Sequence, residues 1–191
     1  LILLVKRIAD EKLPKEMFHE DIEEELFELL QHREEIMEDF FDKNVKSGIA
    51  IDLDEKINKH DFLRLISEKL APRIGQSKEE IYEEFVEREK ASSTNISKGI
   101  AIPHIIIPGQ DRFQVAIVRA KQGIEWEADA EPVKAVFVLI GSLDKRDTHL
   151  KALMAVSQIV QNEEFFSNWE SAENVEELKS IIMLMPRKRH D

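Results

Sequence analysis

The sequence predicts an α/β domain in which a mixed β-sheet is flanked by helices, preceded by an N-terminal acidic helical appendage. Three observations lead to this fold class. Apolar, strand-like runs alternate with amphipathic helices between residues 47 and 186. The chain has 191 residues and a hydrophobic content of 42%, which suffices for one domain with a real core. The formal charge of −12 is concentrated near the N-terminus.

The first predicted element is an acidic amphipathic helix. The stretch from Asp10 to Lys43 contains 14 acidic and 4 basic residues, so it carries −10 of the formal −12. Between Glu20 and Asp42 the apolar side chains recur at helical spacing, opposite an acidic face. We assign residues 1–46 to a helical linker that packs on its own domain, on a second copy as a homodimer, or on a neighbouring domain. The apolar side chains at this spacing are Ile22, Leu26, Leu29, Leu30, Ile36, Met37, Phe40 and Phe41.

The first seven residues, LILLVKR, point to a membrane neighbour. Five apolar residues followed by Lys6 and Arg7 resemble the cytoplasmic end of a transmembrane helix, and a short element packed on the core is the equal alternative. The sequence contains no apolar run of about 18 residues. We therefore expect a cytoplasmic chain, with tethering to the inner face of a membrane through upstream segments as the alternative.

Composition excludes several classes of function. The chain has no cysteine, which rules out disulfides, thiolate metal sites and cysteine nucleophiles. Its acidic balance disfavours nucleic acid as a partner, because affinity for the phosphate backbone depends on cationic charge. No metal-ligand motif of fixed spacing occurs, so we expect neither a metal nor a cofactor.

The predicted domain opens with a strand and two helices. SGIAIDL, at residues 47–53, alternates and is rich in β-branched residues, as in a strand. The next helix has Asn58 as its cap and ends near Pro72 and Gly75. Residues 77–91 form a further helix, which opens on the capping box SKEE.

The second half of the domain supplies the centre of the predicted sheet. FQVAIVRA (113–120) and VKAVFVLIG (133–141) are strands, and the second is apolar enough to be central. GIEW (123–126) predicts a short strand between them. The remaining predictions are helices at 147–161 and 173–185, a turn or short helix at EEFFSNW, and a basic, mobile tail at 187–191.

His104 is conspicuous because it lies in a strongly apolar run, NISKGIAIPHIIIPG. Pro103 biases Ile102 towards an extended conformation and marks an edge strand or a strand end. At such a position a rigid scaffold can offer one side chain to solvent. Residue type alone favours an ordinary, partly buried histidine, so it is the position of His104 that makes it a candidate.

His149 and Arg88 are further candidates. His149 follows a predicted buried strand and a polar loop, in the first turns of a helix that Asp144 or Asp147 can cap. The free N–H groups and positive dipole at a helix start accommodate an anion such as phosphate. Arg88 can hold phosphate bidentately, although an arginine in a glutamate-rich helix ordinarily belongs to a solvated face. The remaining histidines are predicted to be surface residues: His19, His32, His60 and His190.

Three longer motifs resemble a known family. EREKASSTNISKGIAIPH is similar to the phosphoacceptor motif of enzyme IIA domains of the mannitol/fructose and nitrogen-regulatory type, from the bacterial phosphoenolpyruvate:sugar phosphotransferase system. VKAVFVLIGSLDKRDTHLKAL resembles the later family stretch that bears a second histidine, and IAIDLDEKINKHDFLRLISEKL fits the opening strand and helix. The resemblance covers residues 47–186 and implies a mannitol-type IIA fold for them.

The resemblance also implies a phosphoryl carrier. In that family the histidine after the proline accepts a phosphoryl group from the phosphocarrier protein HPr and passes it to a IIB domain. By position, His104 is the expected acceptor, His149 the supporting residue at the phosphate, and Arg88 a charge-stabilising neighbour. Ser93 and Thr94, in the preceding turn, are expected to donate hydrogen bonds to the phosphate. No metal is required by this arrangement.

The chain departs from the family pattern directly after the histidine. The family usually has glycine or small polar residues there, whereas this chain has Ile105, Ile106 and Ile107. Bulky β-branched side chains beside the acceptor would change the surface that a phosphodonor approaches. We therefore expect an altered docking surface.

Two functions from different classes follow. The first is a IIA-like phosphoryl carrier that acts in phosphotransfer or its regulatory readout. The alternative is a cytoplasmic regulatory domain of a membrane transporter, antiporter or channel in the same chain, whose histidine pocket senses phosphate, another anion or pH. A zinc site made of His104, His149 and a carboxylate is a weaker third interpretation, because no fixed-spacing ligand motif supports it.

Overall fold

The computed structural model describes residues 38–97 and 99–189. They form a seven-stranded mixed sheet with helices on both faces, as the sequence predicts. The strands are β1 (Ile49–Leu53), β2 (Ile57–Asn58), β3 (Asn95–Ser97), β4 (Ile100–Ala101), β5 (His104–Ile107), β6 (Phe113–Glu125) and β7 (Val133–Ser142). The helices are α1 (Phe40–Ser47), α2 (Lys59–Ile74), α3 (Lys78–Ala91), α4 (Arg146–Val160), α5 (Phe165–Ser171) and α6 (Val175–Leu184).

The antiparallel pair β6 and β7 forms the centre of the sheet. β1 and β2 run parallel to β6 on one side, and β4 and β5 run parallel to β7 on the other, with β3 antiparallel to β4. The predicted central position of VKAVFVLIG is therefore confirmed. GIEW is not a separate strand: its first three residues end β6, beyond a register shift between Arg119 and Ile124 where Gly123 has a φ of 79°.

The sheet separates two hydrophobic cores, because successive side chains of a strand point to opposite faces. In β7, Phe137 and Leu139 pack in the core that α1, α4, α5 and α6 cover. Val136 and Val138 pack in the core that α2 and α3 cover. Both faces of β7 are buried, which explains why its sequence is a continuous apolar run.

Local capping signals predicted the ends of the two helices on one face correctly. The side chain of Asn58 caps α2, and Gly75 ends it in the left-handed conformation with a φ of 70°. Pro72 lies inside the last turn of α2 and does not stop the helix. The predicted capping box of α3 is present, with Ser77 and Glu80 each accepting from the other's backbone N–H.

The described part of the chain begins differently from the prediction. Asp39 is extended and caps α1, so Phe40 opens a separate short helix instead of continuing one that began near residue 20. The rest of that predicted helix, together with LILLVKR, lies outside the described residues. Phe41 and Val45 are buried in the core, so the packed structure starts before the predicted boundary at residue 47.

The C-terminal tail is held by ion pairs, in contrast to the mobile tail that the sequence predicts. The side chain of Arg187 is fully buried and donates to Asp39 at 2.7 and 2.9 Å and to Asp42 at 2.6 Å. Its guanidinium also lies 5.2 Å from the ring centroid of Phe41. Arg189 donates to Asp42 at 3.3 Å. We call Asp39, Asp42, Arg187 and Arg189 the terminal clamp.

The last helices agree with the predicted ones within two residues, and EEFFSNW contributes to α5. The start of α4 differs in its capping, because no side chain caps it. Asp144 accepts instead from the Ser142 hydroxyl at 2.6 Å and from the Asp111 N–H at 2.9 Å. Within residues 38–97 and 99–189, no helix is both long and apolar enough to cross a bilayer.

Candidate functional site

His104 is the first residue of β5, and its ring is held by a backbone carbonyl. Nδ1 lies 2.7 Å from the carbonyl oxygen of Ile102. Because a carbonyl oxygen can only accept, Nδ1 carries the proton in this contact. In the neutral ring, Nε2 therefore holds the lone pair.

Arg88, in the last turn of α3, contacts the other ring nitrogen. Its Nε and Nη2 atoms lie 3.3 and 3.0 Å from Nε2 of His104, and Nη1 donates to the Ser92 carbonyl at 2.9 Å. A guanidinium can only donate, so Nε2 is the acceptor, in agreement with a proton on Nδ1. The two neighbours thus define the same tautomer of His104.

The third residue of the site is His149, which lies on α4. Its ring centroid is 5.8 Å from that of His104 and 5.9 Å from that of Phe113. The side chain is buried, at 4% exposure, and neither ring nitrogen has a hydrogen-bond partner among the described residues. Gly141 leaves the space for this packing, since a Cβ there would lie 2.9 Å from Phe113 and 3.6 Å from Nδ1 of His149.

Both imidazoles are neutral near pH 7. Burial lowers the pKa of His149 to about 4, with the nearby His104 as a second cause. Burial also lowers the pKa of His104; the Ile102 carbonyl opposes this shift, and the charge of Arg88 adds to it. A neutral imidazole keeps a lone pair, so the unprotonated nitrogen Nε2 of His104 can act as a nucleophile.

The structure places Ser93 and Thr94 in the adjoining turn, bonded to carboxylates. Thr94 is buried, and its N–H and hydroxyl donate to Glu89 at 3.1 and 2.6 Å. The Ser93 hydroxyl contacts Glu127 and lies 3.3 Å from Glu89. The structure therefore brings three of the five predicted site residues into contact, and the phosphate-binding role of Ser93 and Thr94 stays a prediction.

Sequence reasoning passed over Glu89. Its side chain is 7% exposed, accepts from Trp126 Nε1 at 2.9 Å, and lies 3.5 Å from Lys59 Nζ. Burial acts to raise the pKa of Glu89, but the hydrogen bonds from Thr94 and Trp126 hold it below its ordinary value. Nothing in EREK distinguishes this carboxylate from the exposed Glu87 two residues earlier.

The isoleucines after His104 point to opposite faces of the sheet. Ile105 and Ile107 are buried in the core with α2 and α3. Ile106 is 40% exposed and, two residues from His104 on the same strand, shares its face. Two of the three isoleucines are therefore core residues, and the change of surface that the sequence predicts is limited to Ile106.

Exposed apolar side chains occur on the elements that carry the histidines. Among the described residues, four of the five large exposed apolar side chains lie on β5, in the turn after β7, or on α4. We call these four the apolar rim: Ile106, Leu143, Leu150 and Met154. In the part of the chain that the structure describes, no cluster of three histidine, aspartate or glutamate side chains is arranged to hold a metal.

The fold and site together define an α/β domain in which the unprotonated nitrogen of a neutral histidine lies against an arginine and near a second, buried histidine. The family model described as phosphoenolpyruvate-dependent sugar phosphotransferase system, EIIA 2, matches residues 44–184. The chain belongs to this family, which confirms the resemblance that the sequence motifs carry.

Relatives of two kinds are similar to this chain. The nitrogen regulatory protein of Bradyrhizobium diazoefficiens is 27% identical over 133 residues, which are 69% of this chain and 87% of that protein. The nitrogen regulatory protein of Klebsiella oxytoca is 33% identical over 127 residues, 65% of this chain and 78% of that protein. The fructose-specific EIIABC component of Bacillus subtilis is 34% identical over 101 residues, 52% of this chain and 16% of that protein.

Solved structures show the same fold. The nitrogen regulatory protein IIA-Ntr from Neisseria meningitidis matches with a TM-score of 0.65 and 23% identity, covering 71% of this chain and 93% of that one. IIA mannitol from Escherichia coli matches with a TM-score of 0.56 and 20% identity, covering 69% of this chain and 94% of that one. These matches confirm the predicted mixed sheet flanked by helices.

Proposed function

We propose that this chain is a phosphoryl carrier in which Nε2 of His104 accepts the phosphoryl group. The observation that carries this proposal is the pair of contacts on the ring. The Ile102 carbonyl accepts from Nδ1–H at 2.7 Å, so the lone pair lies on Nε2, where Arg88 provides cationic donors. A neutral nucleophile beside a fixed cation suits attack on an anionic phosphorus centre.

His104, Arg88 and His149, which we call the histidine pocket, each have a separate role in the transfer step. The lone pair of Nε2 forms the N–P bond while the bond from phosphorus to the donor breaks, and the electron pair of that bond leaves with the donor. Nδ1 keeps its proton and its contact with Ile102. Arg88 exchanges Nε2 for the phosphoryl oxygens, and His149, whose ring nitrogens have no partner among the described residues, supplies a further donor.

We infer that the phosphodonor and the acceptor are proteins that dock on the apolar rim. The exposed Ile106 lies beside the acceptor, and Leu150 follows His149 directly on α4. This chain is also similar, with a TM-score of 0.56, to the Escherichia coli complex of enzyme IIAMTL and phosphorylated enzyme IIBMTL. By analogy, HPr as donor and a IIB domain as acceptor are the expected partners here.

The test is phosphorylation by a phosphoenolpyruvate-driven HPr system, followed by detection of acid-labile, base-stable phosphate on the chain. We expect labelling of the wild type and none of His104→Ala. His60→Ala is the matched control, because His60 is exposed and its ring is bonded to Tyr82 and not to His104, His149 or Arg88. A labelled His104→Ala would overturn the assignment of the acceptor.

A regulatory readout is the second candidate function. It is favoured by the similarity to the nitrogen regulatory proteins of Bradyrhizobium diazoefficiens and Klebsiella oxytoca. In this function phosphorylation of His104 is the input, and the output is the activity of a partner or of a transporter domain in the same chain. The version of this hypothesis with a transporter domain in the same chain is tested by sequencing the full gene. Several transmembrane segments upstream of residue 1 would support it, and their absence would contradict it.

A further inference from the structure

We propose that Glu89 is a positioning residue for phosphoryl transfer. It acts through Thr94 and Ile102 and determines which nitrogen of His104 carries the proton and which keeps the lone pair. The role rests on the proposed function, in which His104 is the acceptor. The geometry behind it is independent of that function, because it concerns only the protonation of a ring in the resting protein.

A continuous line of hydrogen bonds connects the two residues. The N–H and hydroxyl of Thr94 donate to the Glu89 carboxylate at 3.1 and 2.6 Å. The N–H of Ile102 donates to the Thr94 carbonyl at 2.9 Å, and Nδ1–H of His104 donates to the Ile102 carbonyl at 2.7 Å. The position of Glu89 is thereby transmitted to the acceptor ring in three steps.

The Ile102 carbonyl matters because neutral histidine has two tautomers. With the proton on Nδ1, Nε2 keeps the lone pair that attacks phosphorus once Arg88 exchanges it for the phosphoryl oxygens. With the proton on Nε2, the lone pair lies on Nδ1 instead, and the ring N–H opposes the donors of Arg88. A carbonyl held within hydrogen-bond distance of Nδ1 selects the reactive tautomer.

Glu89 is suited to anchor this line because it joins several segments of the chain. Its carboxylate accepts from Trp126, which follows β6, and from the turn at Thr94, and it lies 3.5 Å from Lys59 at the start of α2. Arg88 is the next residue on α3. One helix end therefore sets both contacts on His104: Arg88 on Nε2 directly, and Glu89 on Nδ1 through the turn.

Ionisation of Glu89 is part of this role. The donors around it hold its pKa below the ordinary value, although burial acts in the opposite direction. At neutral pH the group therefore only accepts. A glutamine of the same shape would direct amide N–H groups at one of these donors, so Glu89→Gln disturbs the turn without removing volume.

The test is the tautomer of His104, measured by the ring ¹⁵N chemical shifts of histidine-labelled protein. We expect the Nδ1–H tautomer in the wild type and a mixture of both tautomers in Glu89→Gln. In the phosphorylation assay we expect kcat of Glu89→Gln to fall about tenfold at unchanged KM for the HPr donor, because a positioning residue supports the acceptor and not donor binding.

Two further variants make the result specific. Glu87→Gln removes the same charge from the same helix, but Glu87 is 76% exposed and pairs with Lys90 at 3.1 Å, so both readouts should match the wild type. Thr94→Val removes one hydroxyl bond to Glu89 and keeps the backbone N–H bond. Thr94→Val replaces Glu89→Gln in the test if that variant does not fold. We expect it to shift the tautomer of His104 in the same direction by a smaller amount.

A folded Glu89→Gln whose His104 keeps the wild-type tautomer would overturn the proposal. A shifted tautomer with an unchanged phosphorylation rate would overturn the functional part of it. If the wild type is not labelled on His104 at all, it is the proposed function that fails, and the tautomer comparison still decides whether Glu89 positions the ring.

Discussion

The terminal clamp and the histidine pocket are both clusters of buried polar groups, but they balance their charges differently. In the clamp, two arginines meet two carboxylates at 2.6 to 3.3 Å, and Nε of Arg187 is its one buried side-chain atom without a partner among the described residues. In the pocket, Arg88 meets a neutral ring, and both nitrogens of His149 are without a partner in the described structure. The clamp therefore leaves one buried side-chain nitrogen without a partner among the described residues, whereas the pocket leaves both ring nitrogens of His149.

This difference separates a structural role from a chemical one. A buried polar group without a hydrogen bond costs about 1–3 kcal/mol, so folded proteins rarely keep one without a reason. His149 keeps two such atoms, and its ring lies next to that of His104, whose Nε2 is unprotonated. An anion in the pocket would accept from the one N–H of the neutral His149 ring, whereas the donors of the clamp already meet carboxylates, apart from Nε of Arg187.

The largest effect is expected from breaking the clamp. Arg187→Ala leaves the buried carboxylates of Asp39 and Asp42 without their main partner, which we expect to lower the free energy of unfolding by about 3 kcal/mol. Urea denaturation measures the change. Lys46→Ala is the control, because Lys46 pairs with Glu38 on the surface, where a loss below about 0.5 kcal/mol is typical. Equal losses in both variants would show that the clamp is no stronger than a surface pair.

The pocket should be sensitive to acid through His149. Its pKa is depressed in the folded state, so below about pH 6.5 the unfolded chain binds a proton that the folded chain does not, and stability falls as the pH decreases towards 4. A fall from 6.5 to about 4 corresponds to about 3 kcal/mol. We expect His149→Leu to lose about that much less stability than the wild type between pH 7 and pH 4, measured by urea denaturation. Parallel pH profiles of the two proteins would contradict the depressed pKa.

Loss of the cation in the pocket should slow the chemistry more than it affects the fold. Arg88→Ala removes the donors at Nε2 of His104, and we expect a phosphorylation rate about a hundredfold lower. Arg88→Lys keeps the charge but loses the planar arrangement of donors, so an intermediate rate is expected. Lys90→Ala, on the same helix and paired with the exposed Glu87, is the control. A wild-type rate in Arg88→Ala would remove Arg88 from the site.

The smallest effect is expected on the phosphorylation rate when the clamp is broken. They are connected by ring contacts, since Phe40 of α1 lies 5.3 Å from Phe113, whose ring lies 5.9 Å from that of His149. Because no hydrogen-bond partner shared by the clamp and the pocket occurs among residues 38–97 and 99–189, we expect Arg187→Ala, assayed where it is fully folded, to change the phosphorylation rate by about twofold or less. A tenfold change would show instead that α1 couples the clamp to the pocket.

Signals that act over a few residues were sufficient to predict most elements of the fold and the main candidates of the site. Asn58, Ser77 and Gly75 mark helix ends because capping is settled within one turn. The uninterrupted apolar run of β7 predicted its central position. Pro103, in turn, marked the place where the chain presents His104.

Long-range packing decided what these local signals left open. Glu89 and Glu87 are equivalent in the sequence, and only the approach of Trp126 and Lys59 makes one of them a buried anchor. Ile105 and Ile106 are likewise identical residues, separated by the face of the sheet that each one meets.

The terminal clamp shows the same limit most clearly. Arg187 belongs to a basic tail by composition, and it becomes buried because Asp39 and Asp42, at the other end of the described chain, lie within hydrogen-bond distance. Secondary structure depends on neighbours along the chain, so the sequence alone was enough to place most of the strands and helices and to single out His104. Burial and the pairing of charges depend on neighbours in space, and these exist only once the tertiary structure has formed.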